Sequence, residues 1–282
     1  MPYMVQKSPL ETSKLLALIL PVFMFSTLAA QPPSSLATKD AAQIQTLGIS
    51  DQSQFDQLMI TVAGVGRNAR MIQEQQNLKP YMMPVRKMGF RGTDWSYMLA
   101  SCLEYYTNLQ QNYKDNLSPD YITLSIQSQG GGGNIVEGLR FLSQVGTVSA
   151  AIVPYDAAQI PQSVYATRKH KINNYLHLFQ SYASQREKTF EIRKALMRGH
   201  PVIVEIKAGV NFPTLTDAMM WESPRSPGTY SYTLLIIGYD ERKEAFEVMS
   251  SWGAGWANNG YLWMNYNDLA TAAINGFVMM PE

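Results

Sequence analysis

The sequence predicts an α+β fold, a helical half followed by a mainly antiparallel sheet or barrel. Between Gly92 and Leu142, apolar residues recur at helical spacing. From Pro201 onward, short apolar runs alternate with turn-like pieces and mostly short connections. The chain has 282 residues, 46% of them apolar, which supports one large domain or two small ones.

Lys7 and Lys14 flank the start of an apolar run from Leu15 to Thr27, followed by Leu28-Ala29-Ala30-Gln31. This is the pattern of a secretory signal over residues 1–30. The run is about 13 residues, short of the roughly 20 that a spanning helix needs. A cleaved leader is therefore expected, with an uncleaved anchor as the alternative and no membrane span after cleavage. The leader is bacterial in style, so the expected destination lies across the inner membrane, in the periplasm or outer envelope. No cysteine follows it to carry a lipid. Residues 31–83 are rich in Gln, Ser, Ala and Asn and read as an N-terminal linker or arm, or a propeptide remnant. Gln31–Asp40 is flexible in character and Ser53–Ile60 weakly helical.

Residues 84–165 form the predicted helical lobe. Gly92-Thr93-Asp94 leads into a helix whose apolar face carries Met98, Leu99, Cys102, Leu103 and Tyr106. Asp94 takes the N-cap place, where a carboxylate gains both hydrogen bonds and the helix dipole. Pro119 opens a second helix. Asn134 caps a third after the glycines at 130–133, with Ile135, Val136, Leu139 and Leu142 on one face. That glycine run lacks the Lys-Ser/Thr and the preceding strand of a phosphate loop, and reads as structural.

Residues 166–282 form the predicted β-rich lobe. A polar crossing over 157–185, with Arg168, Lys169, His170 and Lys171 as a solvated face, leads to a helix at Phe190–Arg198 stopped by Gly199. Strands follow at 201–206, 233–238, 245–250 and 261–264, the second a continuous apolar run buried on both faces.

Charge excludes some functions. Lys and Arg total 23 against 22 Asp and Glu, with no basic block, so no nucleic-acid partner is expected. The single cysteine, Cys102, excludes an internal disulfide, and its place on an apolar helical face makes it a core residue. His170 and His177 have no ligand partners at metal spacing, so neither a metal nor another cofactor is expected.

The stretch from Ser251 to Tyr261 reads SWGxGWxxNGY. It resembles the last motif of the papain-like cysteine proteases, and the likeness runs from about Pro84 to the end, closest to disulfide-poor bacterial members. Gly199-His200-Pro201-Val202 resembles the family's G-x-P-V strand start, and Leu234–Asp240 the strand after its catalytic His. Met88-Gly89-Phe90-Arg91-Gly92-Thr93-Asp94-Trp95 keeps the frame of the first motif at Gly89, Gly92 and Trp95. The resemblance implies a papain-like two-lobe fold with a cleft between the lobes. It also places Met88 at the oxyanion Gln, Asp94 at the nucleophilic Cys, Tyr232 at the His and Ser250 at the Asn.

All four positions thus carry residues unsuited to that chemistry. Asp is a poor nucleophile toward an amide, and Tyr with a pKa near 10 does not shuttle protons at neutral pH. Met88 offers no donor to an oxyanion. The expectation is a pseudoprotease with no catalytic residues. Its cleft, with Gly92, Asp94, Trp95, Tyr232 and Trp252 as binding candidates, would hold a peptide or protein, and the chain would serve as a subunit of an envelope or secretion assembly. Two alternatives stay open: a hydrolase built on Asp94, with Glu222 as a candidate second acid, and a peptide-binding regulator of active relatives. Asp94 is expected to accept a hydrogen bond from the Tyr232 hydroxyl as a tie between the lobes, or else both point to water. Trp252 is expected to pack beside Tyr232.

Overall fold

The structure, a computed structural model, describes residues 46–65, 69–221 and 228–282. Residues 1–30, expected as a leader, and Glu222 lie outside the described residues. Among the described residues, no helix is long and apolar enough to cross a membrane.

The stretch expected as an arm is built into the domain from Thr46 onward. Helix α1 (Gln52–Leu58) is capped by Asp51, whose Oδ1 accepts the Ser53 N–H at 3.0 Å. It buries Phe55 completely, as Leu78 is buried further on. Helix α2 (Ala69–Glu74) leads into β1 (Gln75–Asn77).

The helical lobe is centred on α3 (Asp94–Gln111), whose residues from Trp95 to Asn108 are all buried. One face packs on α4 (Pro119–Ser128) and α5 (Ile135–Gln144), the other on the sheet. Its cap corrects the sequence reading. Thr93 is the N-cap, with Oγ1 accepting the Ser96 N–H at 3.4 Å, and Asp94 is the first helical residue. With the hydroxyl of Thr93 meeting the helix amide, the Asp94 carboxylate is freed to reach outward. Ser118 and Asn134 cap α4 and α5. Cys102 is fully buried and its thiol is pushed well above its usual pKa by that burial.

The second lobe comprises β2 (Ile172–Gln180), α6 (Gln185–Met197), β3 (Val202–Ala208), β4 (Met220–Trp221), β5 (Tyr230–Asp240), β6 (Ala245–Met249), β7 (Tyr261–Asn265), α7 (Tyr266–Ala272) and β8 (Ala273–Pro281). The sheet runs β2-β8-β3-β5-β6-β7-β4, with β1 also on β5. Every pair is antiparallel except β4 with β7. Leu234, Leu235, Ile236 and Ile237 are wholly buried, as their continuous apolar run implies.

Two further corrections fall in this lobe. The polar crossing contains strand β2, because Asn173, Asn174, His177 and Gln180 break its apolar alternation while Tyr175, Leu176, Leu178 and Phe179 are buried. Asn174 is itself buried, and its Oδ1 accepts the Gly48 N–H at 2.9 Å. Helix α6 starts at Gln185 rather than Phe190, with the Ser184 hydroxyl accepting the Glu187 N–H at 3.2 Å. Gly199 does end it, at φ +84°, a conformation that favours glycine.

Arg86 and Glu104 brace the helical lobe from inside. Their side chains pair at 3.0 and 3.2 Å, and Glu104 Oε2 also accepts the Leu117 N–H at 2.7 Å.

Candidate functional site in the interlobe cleft

The first turn of α3 faces the start of β5. Asp94 Oδ1 accepts the Trp95 N–H at 2.7 Å, and Oδ2 accepts the backbone N–H of Thr233 at 2.8 Å. The carboxylate therefore does tie helix to sheet. The partner is not the Tyr232 hydroxyl, which points to the carbonyls of Gly209 and Val210 at 3.2 and 3.5 Å. The phenol follows its ring, which lies 5.7 Å from Phe212 and 5.6 Å from Trp252.

Burial raises the pKa of Asp94, and the negative charge of Glu205 adds to the rise, while the two backbone N–H groups pull the other way. Glu205 sits directly opposite Thr233 in the β3–β5 register. Its Oε2 accepts from Asn275 Nδ2 at 2.8 Å, and Asn275 Oδ1 faces His177 Nε2 at 3.1 Å. Because the amide nitrogen is committed to a carboxylate, its oxygen accepts, and Nε2 of His177 carries the proton. One polar side chain from each of β3, β8 and β2 thus forms a line across the sheet that ends beside Asp94.

The Trp252 ring is edge-on to Tyr232 and Phe212, and 5.1 Å from Trp256, whose Nε1–H donates to the Phe212 carbonyl at 2.8 Å. Trp252 therefore packs beside Tyr232 as expected. Ser250 is fully buried and its hydroxyl serves its own turn, accepting the Trp252 N–H at 3.3 Å. Met88 lies against this turn through its N–H to the Ser251 carbonyl at 2.8 Å, and Ser251 Oγ is 3.9 Å from its sulfur. A Cβ on Gly92 would come within 2.7 Å of the Tyr97 ring and 3.1 Å of Met88 Cβ. One on Gly133 would come within 2.8 Å of the Trp95 ring. Both glycines let aromatic residues of α3 pack closely against the backbone. Beside Met88 and Trp252 lies a pocket of about 440 Å³, also lined by Lys87, Pro213, Leu215 and Trp256.

The thiol and the other imidazoles are placed elsewhere in the described structure. Cys102 is in the core of α3. His170 pairs through its backbone with Thr147. His200 is buried between Tyr106 and Ile60, so it is structural rather than solvated.

Residues 72–281, well over half of the chain, match the family described as papain family cysteine protease. The chain belongs to the papain family. Among curated relatives of this papain-family chain, cathepsin K of Gallus gallus is 23% identical over 212 residues, covering 72% of this chain and 61% of the relative. Ananain of Ananas comosus is 26% identical over 212 residues, covering 70% and 56%. The chain thus spans little more than half the length of these relatives. Among solved structures, xylellain, a cysteine protease from Xylella fastidiosa, superposes with a TM-score of 0.60 at 17% identity, covering 84% of this chain and 96% of the other. At that identity the likeness shows the papain-like fold alone.

The sequence reading missed four participants: the Thr233 amide, Asn275, Phe212 and Glu205. Glu205 carried a signal, being the one charged residue in the apolar run Val202–Ile206.

Proposed function

We propose that this papain-family chain does not cleave peptide bonds and uses its interlobe cleft to bind a peptide or a segment of a partner protein. One observation carries the reading. The carboxylate at the family's nucleophile position is engaged by two backbone N–H groups, at 2.7 and 2.8 Å, in place of a thiolate facing an imidazole. Met88, Tyr232 and Ser250 support it, because each is committed to packing or to its own turn. The leader-like sequence of residues 1–30 supports export to a bacterial envelope, where the chain would act as a subunit of a larger assembly.

The deciding experiment is turnover of a peptide library by the purified protein, alongside Met88→Gln/Asp94→Cys/Tyr232→His/Ser250→Asn. The wild-type chain should leave every peptide intact while retaining a subset of them in equilibrium binding. Cleavage lost in Asp94→Ala would overturn this and select a hydrolase built on Asp94. That second reading is favoured by the proximity of Glu205, since neighbouring carboxylates can split their pKa values and take separate acid and base roles. Binding that competes with an active relative for its substrate would select a regulator over a fixed subunit.

A further inference from the structure

Further along α3 from Asp94, His200 holds the segment after α1. Its Nε2 lies 2.6 Å from the Ile60 carbonyl and its Nδ1 2.8 Å from the Tyr106 hydroxyl. A carbonyl only accepts, so Nε2 carries the proton and Nδ1 accepts from the phenol. The neutral ring is thereby fully satisfied within a buried site. Arg198 holds the same segment from the other side. Its guanidinium donates to the Met59 carbonyl at 3.2 Å and pairs with Asp56 at 2.7 Å, and its own carbonyl accepts the Val62 N–H at 2.8 Å. The segment also forms one wall of a partly open pocket of about 430 Å³, lined by Leu58, Ile60, Val62, Tyr106, Leu109 and Met280 among others.

We propose that His200 is an acid-sensitive latch, whose protonation loosens residues 59–63 and widens this apolar pocket while the sheet and the interlobe cleft stay folded. The imidazolium would carry a second N–H, at Nδ1, where the Tyr106 hydroxyl hydrogen already points. It would also place a cation beside Arg198. Among the described residues, the groups around it offer no compensating anion. From α3 come Tyr106, Tyr105, whose hydroxyl donates to the Gly199 carbonyl at 2.7 Å, and the buried thiol of Cys102. From α1 comes Asp56, already paired with Arg198 and with Lys194 at 3.1 Å. From β8 come the apolar Val278 and Met280.

Burial lowers the His200 pKa to about 4, and Arg198 pushes the same way. A loosened segment returns the ring to water and to its ordinary value. Linkage then raises the opening constant about twentyfold between pH 7 and pH 5, and about a hundredfold by pH 4.

The test is hydrogen exchange of the full chain between pH 7 and pH 4, corrected for the intrinsic pH dependence of exchange. Amides 59–63 should lose protection by about these factors while those of β5 keep theirs. In His200→Gln, whose amide can still donate to Ile60 and accept from Tyr106, the acid response should vanish. A wild-type segment that keeps its protection, that opens only together with β5, or that opens equally in His200→Gln would overturn the proposal. Should that variant not fold, the wild type decides. The exchange midpoint must coincide with the ring-nitrogen NMR titration of His200, and a mismatch overturns the latch.

Discussion

The Asp94 carboxylate lies 2.8 Å from the backbone nitrogen of Thr233, so the first residue of the central helix is bonded to a strand of the opposite lobe. Thr233 is buried, and its amide would otherwise face the cleft with one partner fewer. Asp94→Ala should therefore cost about 1–3 kcal/mol, the penalty of a buried donor left unpaired. Denaturant unfolding measures the loss, and hydrogen exchange should show it first at Thr233. A variant as stable as wild type would mean that the bond contributes nothing to holding the lobes.

Glu205→Gln should bring the Asp94 pKa back toward the ordinary carboxylate value. The sign follows from linkage. Asp94 has a folded pKa above its unfolded one, so its contribution to stability is full in acid and is lost as pH rises through the folded value. Removing the neighbouring charge shrinks that loss, and the variant should gain stability at neutral pH relative to acid. Carboxyl-carbon NMR of Asp94 with and without the substitution reads the shift directly.

Phe212 touches Trp221, Tyr232, Trp252 and Trp256, all at centroid distances of 5.6–5.7 Å. Phe212→Ala should destabilise the second lobe by about 3–5 kcal/mol through the lost burial and the cavity left behind. The tryptophan fluorescence should change in the folded state as well, because three indole rings lose their edge contacts.

Arg86→Met should be severe, at about 3–5 kcal/mol, because it leaves Glu104 as a buried carboxylate without its counter-charge. Adding Glu104→Leu should recover much of this, since replacing both members of a buried pair costs less than removing one. A double-mutant cycle by thermal unfolding checks the ordering.

Cys102 should resist alkylation by iodoacetamide in the native protein and react after denaturation, because burial keeps it a thiol out of reach. Rapid native labelling would contradict the core position of this face of α3.

The helical lobe was legible because its signals are local. Capping residues, glycines and apolar periodicity place α3, α4 and α5 within a few residues. The buried run of β5 was equally plain. Strand β2 was not, because its buried polar residues take partners remote in sequence, such as Asn174 with Gly48 and His177 with Asn275. Motif spacing located Met88, Asp94, Tyr232, Ser250 and Trp252 but could not say where each side chain turns. Tyr232 and Asp94 belong to facing elements, yet one bonds within its own lobe and the other reaches across. That choice depends on the Phe212 ring and on a main-chain amide, and no pattern of residue types records either.

The line from Glu205 through Asn275 to His177 gives the outermost strand a voice at the centre of the molecule. His177 lies on the marginal strand β2, two strands from β3. A change there, such as His177→Leu, would free Asn275 to flip and leave Glu205 without a fixed orientation. The damage would register at Asp94 while the periphery that was altered looked intact.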